Sequence, residues 1–231
     1  MRKTMSDLQP DIDSRNVPTP VLSQTGFPSP TPATEAPGIG TPWLGLPPTD
    51  YRPTGGVDPD HPHLFHLQTA TADYFDGGSL QGAHSGVWPI LTQQKGAVYL
   101  ARLAAGGVRE PHWHPSAWEM NVVLSGRVTW SFVGPNSSQD VFEGGAGDVI
   151  FAPQGHFHYF ENASETEDLI VLIVFNADSA EPLDDVPLAQ SMSSMPPHVL
   201  ASVFGVDESV FAQLPRITQR TVIVNRRSRE D

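Results

Sequence analysis

The feature that most limits how this chain can fold is the way its apolar residues are distributed beyond about residue 85, in short runs that each end at a turn signal. Ala97–Leu103 (AVYLARL) ends at Ala105-Gly106-Gly107, and Met120–Leu124 ends at Ser125-Gly126. Arg127–Val133 (RVTWSFV) ends at Gly134-Pro135-Asn136, the short run Gln139–Phe142 at Gly144-Gly145, and Asp148–Ala152 at Pro153-Gln154-Gly155. Short strands at intervals of about 8–12 residues predict a β-sandwich or barrel. Asp168–Phe175 (DLIVLIVF) is apolar almost throughout, which predicts a strand buried on both faces. The pattern does not repeat, so one barrel is expected and not two.

The flanks have a different character. Of the 23 prolines, 13 fall in residues 1–62, in runs such as Pro28-Ser29-Pro30-Thr31-Pro32 and Pro47-Pro48. Proline lacks a backbone donor and fixes φ, so such a stretch cannot form a regular ladder. Residues 1–60 are therefore expected to be a disordered or extended arm, with Trp43-Leu44-Gly45-Leu46 as the piece suited to docking on the domain. Residues 61–180 are assigned to the barrel and 181–231 to a helical C-terminal extension and tail. In that extension Val199, Leu200, Val203 and Phe204 have helical spacing ahead of Gly205, a C-terminal glycine cap. Asp207 is a good N-cap for Glu208–Gln213, and Pro215 stops that helix. Thr221–Val224 (TVIV) predicts a last strand added to a sheet edge, on this subunit or on a partner.

Composition excludes several kinds of function. There are no cysteines, which removes disulfides, thiolate metal sites and cysteine nucleophiles. The formal charge of -13 argues against nucleic acid, whose phosphates need a basic surface. No stretch approaches the roughly 20 apolar residues needed to cross a bilayer. The start, MRKTMSDLQPD, has no apolar segment after its basic residues. A cytoplasmic protein without nucleic-acid or membrane partners is expected. A small anion can still enter a locally positive metal pocket.

The chemistry concentrates in a histidine constellation. His112 and His114 are two apart, so on a strand both imidazoles project from one face. Glu119 follows a turn region with Pro115 and Ser116 and begins the next strand. His158 comes after the Pro153-Gln154-Gly155 turn, and barrel closure would return its strand to the first. Three imidazoles and a carboxylate leave two positions open on a six-coordinate ion. Nitrogen and oxygen donors without thiolate favour Mn, Fe, Co or Ni, with Zn and Cu also admitted. His156, two residues before His158, is a second-shell candidate or a turn residue at the rim. Trp113, Trp118, Trp130 and Phe157 are read as barrel packing.

The punctuation around these residues is specific. Gly106, five residues, His112, one, His114, four, Glu119, six, Gly126 forms one block. Gly147, five residues, Pro153, one, Gly155, two, His158, three, Asn162 forms a second. In these ten positions the sequence resembles the cupins, a family of all-β double-stranded β-helix (jelly-roll) barrels, and Asn162 joins His156 as a second-shell candidate. The run Arg109-Glu110-Pro111-His112-Trp113-His114-Pro115 is similar to the metal strand of oxalate decarboxylases. So are Ala146–Val149, Pro153–His156, His158–Asn162 and the segment Ser194–Pro215. The resemblance covers about residues 70–215. Those enzymes usually carry two cupin domains in one chain, whereas this chain has one.

The resemblance implies manganese as the ion, oxalate or a similar small carboxylate as substrate, dioxygen as a redox partner, and decarboxylation to formate and carbon dioxide. It also implies an arginine that holds the carboxylate and a glutamate that moves the proton. Arg109 matches the arginine, but it lies three residues before His112, so a bend at Pro111 is needed to bring both side chains to one face. The proton-moving glutamate has no clear match. Glu181 is the leading replacement in Ser179–Asp185, beside Asp184 and Asp185. The alternatives are an oxalate oxidase or ring-cleaving dioxygenase, and a non-catalytic small-molecule or metal-binding cupin. A homo-oligomer, dimer or higher, is expected from the exposed barrel edge and the C-terminal segment.

Overall fold

The computed structural model describes residues 53–227, so the expected arm lies outside the described residues except for its last eight positions. The strands are β1 (Gly56–Val57), β2 (Phe65–His66), β3 (Ala72–Phe75), β4 (Gly78–Ala83), β5 (Ala97–Leu103), β6 (Gly107–Trp113) and β7 (Glu119–Ser125). They continue with β8 (Arg127–Val133), β9 (Gln139–Gly145), β10 (Val149–Ala152), β11 (Phe157–Asn162), β12 (Leu169–Phe175), β13 (Val186–Pro187) and β14 (Ile223–Asn225). Three short helices, α1 (Leu188–Ser194), α2 (Pro197–Phe204) and α3 (Glu208–Ala212), separate the last two strands. None of the described helices is long and apolar enough to cross a membrane.

Two antiparallel sheets make the barrel. One runs β10-β7-β12-β5-β4-β3, and the other β13-β6-β11-β8-β9 with β14 also on β6. This is the expected all-β architecture. The core between the sheets is built from inward residues two apart on each strand: Leu169, Val171 and Ile173 on β12, Ala101 and Leu103 on β5, and Val128 and Trp130 on β8. Trp130 is completely buried and stacks on Phe160 with ring centroids 4.4 Å apart, so the packing role expected for it holds. Trp113 and Trp118 pair with Phe157 and Phe151 at 5.7 and 5.6 Å.

Two details differ from the sequence reading, and one alternative that it left open, the pairing of the last strand, is settled. β12 is not buried on both faces: Leu172 and Val174 are half-buried on its outer side. That side is continuous with exposed Met120 on β7 and exposed Val149 and Phe151 on β10, so the sheet presents an apolar outer face. The last strand pairs in cis, with Ile223 opposite Arg109 of β6. Strands β1–β4 and helix α1 were not foreseen. β3 and β4 have weak patterns rich in Gly, Asp and Gln, and their pairing is supplied by β5, to which β4 bonds along its whole length. The expected caps are present: Gly205 is left-handed at φ 68°, and the Asp207 side chain accepts from the Ser209 N–H.

Two turn residues hold the sheets in register. Gly126, between β7 and β8, has φ +83°, and a Cβ there would meet the Asp168 carbonyl oxygen at 2.6 Å. Glycine alone tolerates both the dihedral and the approach. Asn162 is fully buried at the end of β11. Its Nδ2 donates to the carbonyls of Leu103, Ala104 and Glu167, and its Oδ1 accepts from Ser164 N–H. These bonds go to loop backbone and not to the four histidine and glutamate side chains, so its place is in the turns. Replacing Asn162 by Ala leaves several buried groups unpaired and should cost about 3 kcal/mol of stability. Urea denaturation measures this; a change below about 0.5 kcal/mol, the size typical of surface substitutions, would contradict the assignment.

Candidate metal centre

The site is built on an irregularity in β6. Opposite β11, His112 pairs with His158 and Arg109 pairs with Phe160, so two residue steps on β11 face three on β6. The extra residue is a β-bulge at Glu110-Pro111. Because side chains alternate with period two, residues three apart on a regular strand face opposite ways. The bulge restores the phase, so Arg109 and His112 both point inward while Glu110 is turned to the other side. The bend expected at Pro111 is therefore present. Proline suits the position because it has no N–H to leave unpaired where the ladder breaks.

His112 and His158 face each other across the β6–β11 ladder, with ring centroids 4.3 Å apart. His114 follows just after β6, and Glu119 opens β7 in the opposite sheet. One ligand atom from each of the four lies within 4.8 Å of the others, and all four residues are at most 3% exposed. Their hydrogen bonds fix the tautomers. His112 Nδ1 donates to the Glu110 carbonyl at 2.7 Å, His114 Nδ1 to the Asp184 carbonyl at 3.1 Å, and His158 Nδ1 to the His156 carbonyl at 2.8 Å. A neutral imidazole with its proton on Nδ1 has a bare lone pair on Nε2. All three Nε2 atoms are buried without a hydrogen-bond partner. Two of them lie against Glu119, His158 Nε2 at 3.1 Å from Oε1 and His114 Nε2 at 3.2 Å from Oε2.

Three orphaned lone pairs and a carboxylate converging in a buried space match the donor set of a divalent cation. Burial, with Arg109 nearby, holds the His112 imidazole far below its usual pKa, which keeps it neutral as a ligand must be. Burial would raise Glu119, but the His158 and His114 rings beside it hold it well below the usual range, as a carboxylate. Asn121, completely buried two residues along β7, donates from Nδ2 to Glu119 Oε1 at 2.9 Å and orients it. Aromatic rings wall the space: Phe175 lies 4.9 Å from His114, and Trp130 stacks on His158 at 5.8 Å. His156 is exposed and contributes through its main-chain carbonyl, not its ring.

Next to the ligands lies a buried charge network. Arg109 donates to Glu181 Oε1 at 2.6 Å and to Asp185 Oδ2 at 2.9 Å, and the three side chains are 4%, 3% and 1% exposed. Arg220, from the segment before β14, bonds Glu181 and Asp185 from the other side. Burial pushes the Glu181 carboxyl up despite both guanidiniums, whose pull is offset by the neighbouring Asp185 charge. Burial also acts on Asp185, but the Arg109 guanidinium overcomes it and holds Asp185 well below the usual range. The two carboxyl groups share the same pair of guanidiniums. Asp185 Oδ1 is buried with no partner.

The sequence reading brought Arg109 and Glu181 to this site but did not find Asn121, Arg220 or Tyr99, whose hydroxyl accepts the Glu181 N–H at 2.7 Å. Asn121 carried a usable signal, because it sits two residues after Glu119 on one strand face. Arg220 carried none, since 35 positions or more separate it from its partners.

Comparison with known proteins agrees with this geometry. The family signature described as Cupin matches residues 65–211. A probable oxalate decarboxylase of Arthroderma benhamiae is 32% identical over 170 residues, 73% of this chain and 41% of that protein. Oxalate decarboxylase OxdC of Bacillus subtilis is 32% identical over 144 residues, 62% of this chain and 35% of that protein. Germin-like protein subfamily T member 3 of Arabidopsis thaliana is 31% identical over 120 residues, 51% of this chain and 52% of that protein. The chain thus spans about two fifths of the length of the oxalate decarboxylases it matches. The structure of Bacillus subtilis oxalate decarboxylase at pH 4.6 aligns with a TM-score of 0.63 at 23% identity, over 78% of this chain and 44% of that one, a likeness of fold.

The charge network yields a stability prediction. Asp185→Ala leaves the buried Arg109 with one carboxyl partner, itself pushed toward its neutral form, and should cost about 3 kcal/mol. Glu143→Ala, which removes an exposed 3.5 Å pair with Arg127, should change stability by less than about 0.5 kcal/mol. Paired urea titrations check both values, and equal effects would refute the contrast between buried and exposed pairs.

Proposed function

The chain belongs to the cupin family, and from that premise we propose that it is a manganese-dependent enzyme that decarboxylates oxalate, or a similar small carboxylate, to formate and carbon dioxide. The observation that carries the reading is the pairing of a four-donor cluster, His112, His114, Glu119 and His158, with the buried guanidinium of Arg109 on the same strand face. Relatives named as oxalate decarboxylases support it.

His112, His114, Glu119 and His158 would hold the ion. When bound, it supplies a Lewis-acidic, redox-active centre for the substrate carboxylate and for dioxygen. Arg109 supplies a planar fork of donors that grips a second carboxylate. The rings of Phe175 and Trp130 keep water from the reacting carbon. In net terms hydrogen oxalate gives formate and carbon dioxide: the carbon–carbon bond breaks, and the departing carboxyl's former partner carbon gains a proton. Glu181 is suited to keep that proton because burial favours its neutral form. Asp185, which shares Arg109 and Arg220 with Glu181, is the second acid beside it. Glu181 is thus the acid that we propose for the proton transfer.

One observation favours a second reading, a metal-binding cupin without turnover. Arg109 already engages two of the protein's own carboxylates, and a substrate must displace or share them. A homo-oligomer fits the apolar outer face around Met120, Val149 and Phe151. A cytoplasmic setting fits a chain without cysteines.

The test is turnover of oxalate by manganese-loaded protein at mildly acidic pH under air, with formate and hydrogen peroxide measured together. Formate should exceed that of a His158→Ala control, which should also lose at least about tenfold in bound manganese by elemental analysis, since it removes a ligand outright. Arg109→Lys should keep the metal and lose most affinity for oxalate. Peroxide without formate would indicate an oxidase. Neither product, with manganese still bound, would leave the binding-only reading.

A further inference from the structure

Asn121 is an amide at a position where the packing of the barrel favours a hydrocarbon. It lies on β7, is completely buried, and pairs with Ile150 of β10 on one side and Ile173 of β12 on the other. Directly opposed residues of an antiparallel pair share a face, so the amide stands between two isoleucines. Its Oδ1 is buried without a hydrogen-bond partner. A half-satisfied polar group in such a place works against stability. What the side chain does make is the 2.9 Å bond from Nδ2 to Glu119 Oε1. A local rule broken in this way beside a functional centre points to a task at that centre.

The two oxygens of Glu119 are otherwise placed alike. Oε1 lies 3.1 Å from His158 Nε2, and Oε2 lies 3.2 Å from His114 Nε2. An ion held by those nitrogens would have either oxygen, or both, within reach, and a carboxylate binds metals through one oxygen or through two. The amide makes the pair unequal. It engages Oε1 and leaves Oε2 as the freer donor. We propose that Asn121 is a positioning residue that holds Glu119 to one-oxygen coordination, with Oε1 kept by the amide and Oε2 given to the ion.

The consequence is the number of open positions. Three imidazoles and one carboxylate oxygen leave two places on a six-coordinate ion, whereas a chelating carboxylate leaves one. The proposed chemistry needs two, one for a substrate carboxylate and one for dioxygen. The inference rests on the metal-binding part of that reading and not on oxalate as the substrate, and its test needs no turnover.

The experiment loads the full chain with manganese(II). It measures the metal bound per chain by elemental analysis and the water-proton relaxation per bound ion, which reports the open positions held by water. Asn121→Val removes the donor and suits a strand between two isoleucines. It should keep about one manganese per chain and lose about half of the relaxation enhancement, as one of two open positions closes. Asn121→Ala adds no bulk and should do the same, which separates loss of the donor from a clash. A partner that merely orients the carboxylate gives a different result: manganese bound about 10–100-fold more weakly, with relaxation per bound ion unchanged. That result in both variants would overturn the proposal, and so would unchanged relaxation at full occupancy. Absence of manganese from the unaltered chain would sink the metal centre and this inference together, whereas its presence with unchanged relaxation in the variants sinks this inference alone.

Discussion

The organisation of this protein depends on a single extra residue in β6. A regular strand would have sent Arg109 and His112 to opposite faces, one into the barrel and one out of it. With the bulge at Glu110-Pro111, Arg109 and His112 share the interior and Glu110 faces outward. The break in the ladder also decides how the free edge of β6 is covered. β13 pairs at His112 and Trp113, and β14 pairs from Arg109 back to Gly107. Between them the Glu110 N–H donates to the Val222 carbonyl at 2.9 Å. Two short strands with a joint between them cover an edge that one straight strand could not follow.

The joint has a cost. Val222 has φ +43°, in the left-handed region that a β-branched residue rarely enters, at an expense of about 1–3 kcal/mol. It is held there from both sides, since its N–H reaches Glu110 Oε1 and its carbonyl accepts from the Glu110 N–H and the Arg109 side chain. The strain is confined to the one residue where the covering segment changes direction over the bulge, and that residue is fully buried.

What could be read in the sequence divides along the same line. The four candidate ligands were legible because each belongs to a local pattern: a two-residue strand spacing for His112 and His114, and fixed distances to turn glycines for Glu119 and His158. The strands from β5 onward were legible from apolar runs and turn residues. The need for a bend at Pro111 was legible too, because it follows from parity alone. Arg220 and the fate of the three acids in Ser179–Asp185 were not, because these contacts join segments far apart in the chain. Glu181, Asp184 and Asp185 are alike as letters. Asp184 turns to Ser116, Glu181 lies between two guanidiniums, and Asp185 meets the same two guanidiniums through one oxygen. The half-open outer face of β12 was misread because an apolar strand looks the same whether it is covered by its own chain or left exposed.

The network around Arg109 places two guanidiniums beside the four-donor cluster of an acidic protein. The chain carries a formal charge of -13, yet the groups behind the metal cluster are two arginines against two carboxyls. Were both carboxyls ionised, the four charges would cancel. Burial acts against the charge on Glu181, whereas Arg109 favours the charge on Asp185, so the two carboxyls do not answer the guanidiniums equally. Arg109 could not stand there alone, because an isolated buried guanidinium carries a large desolvation cost. Arg220 adds the second cation from the segment that also carries Val222, and Val222 is fastened to Glu110. The C-terminal strand therefore does more than cover an edge. It ties the second guanidinium of the network to the bulge in β6, through Val222 and Glu110.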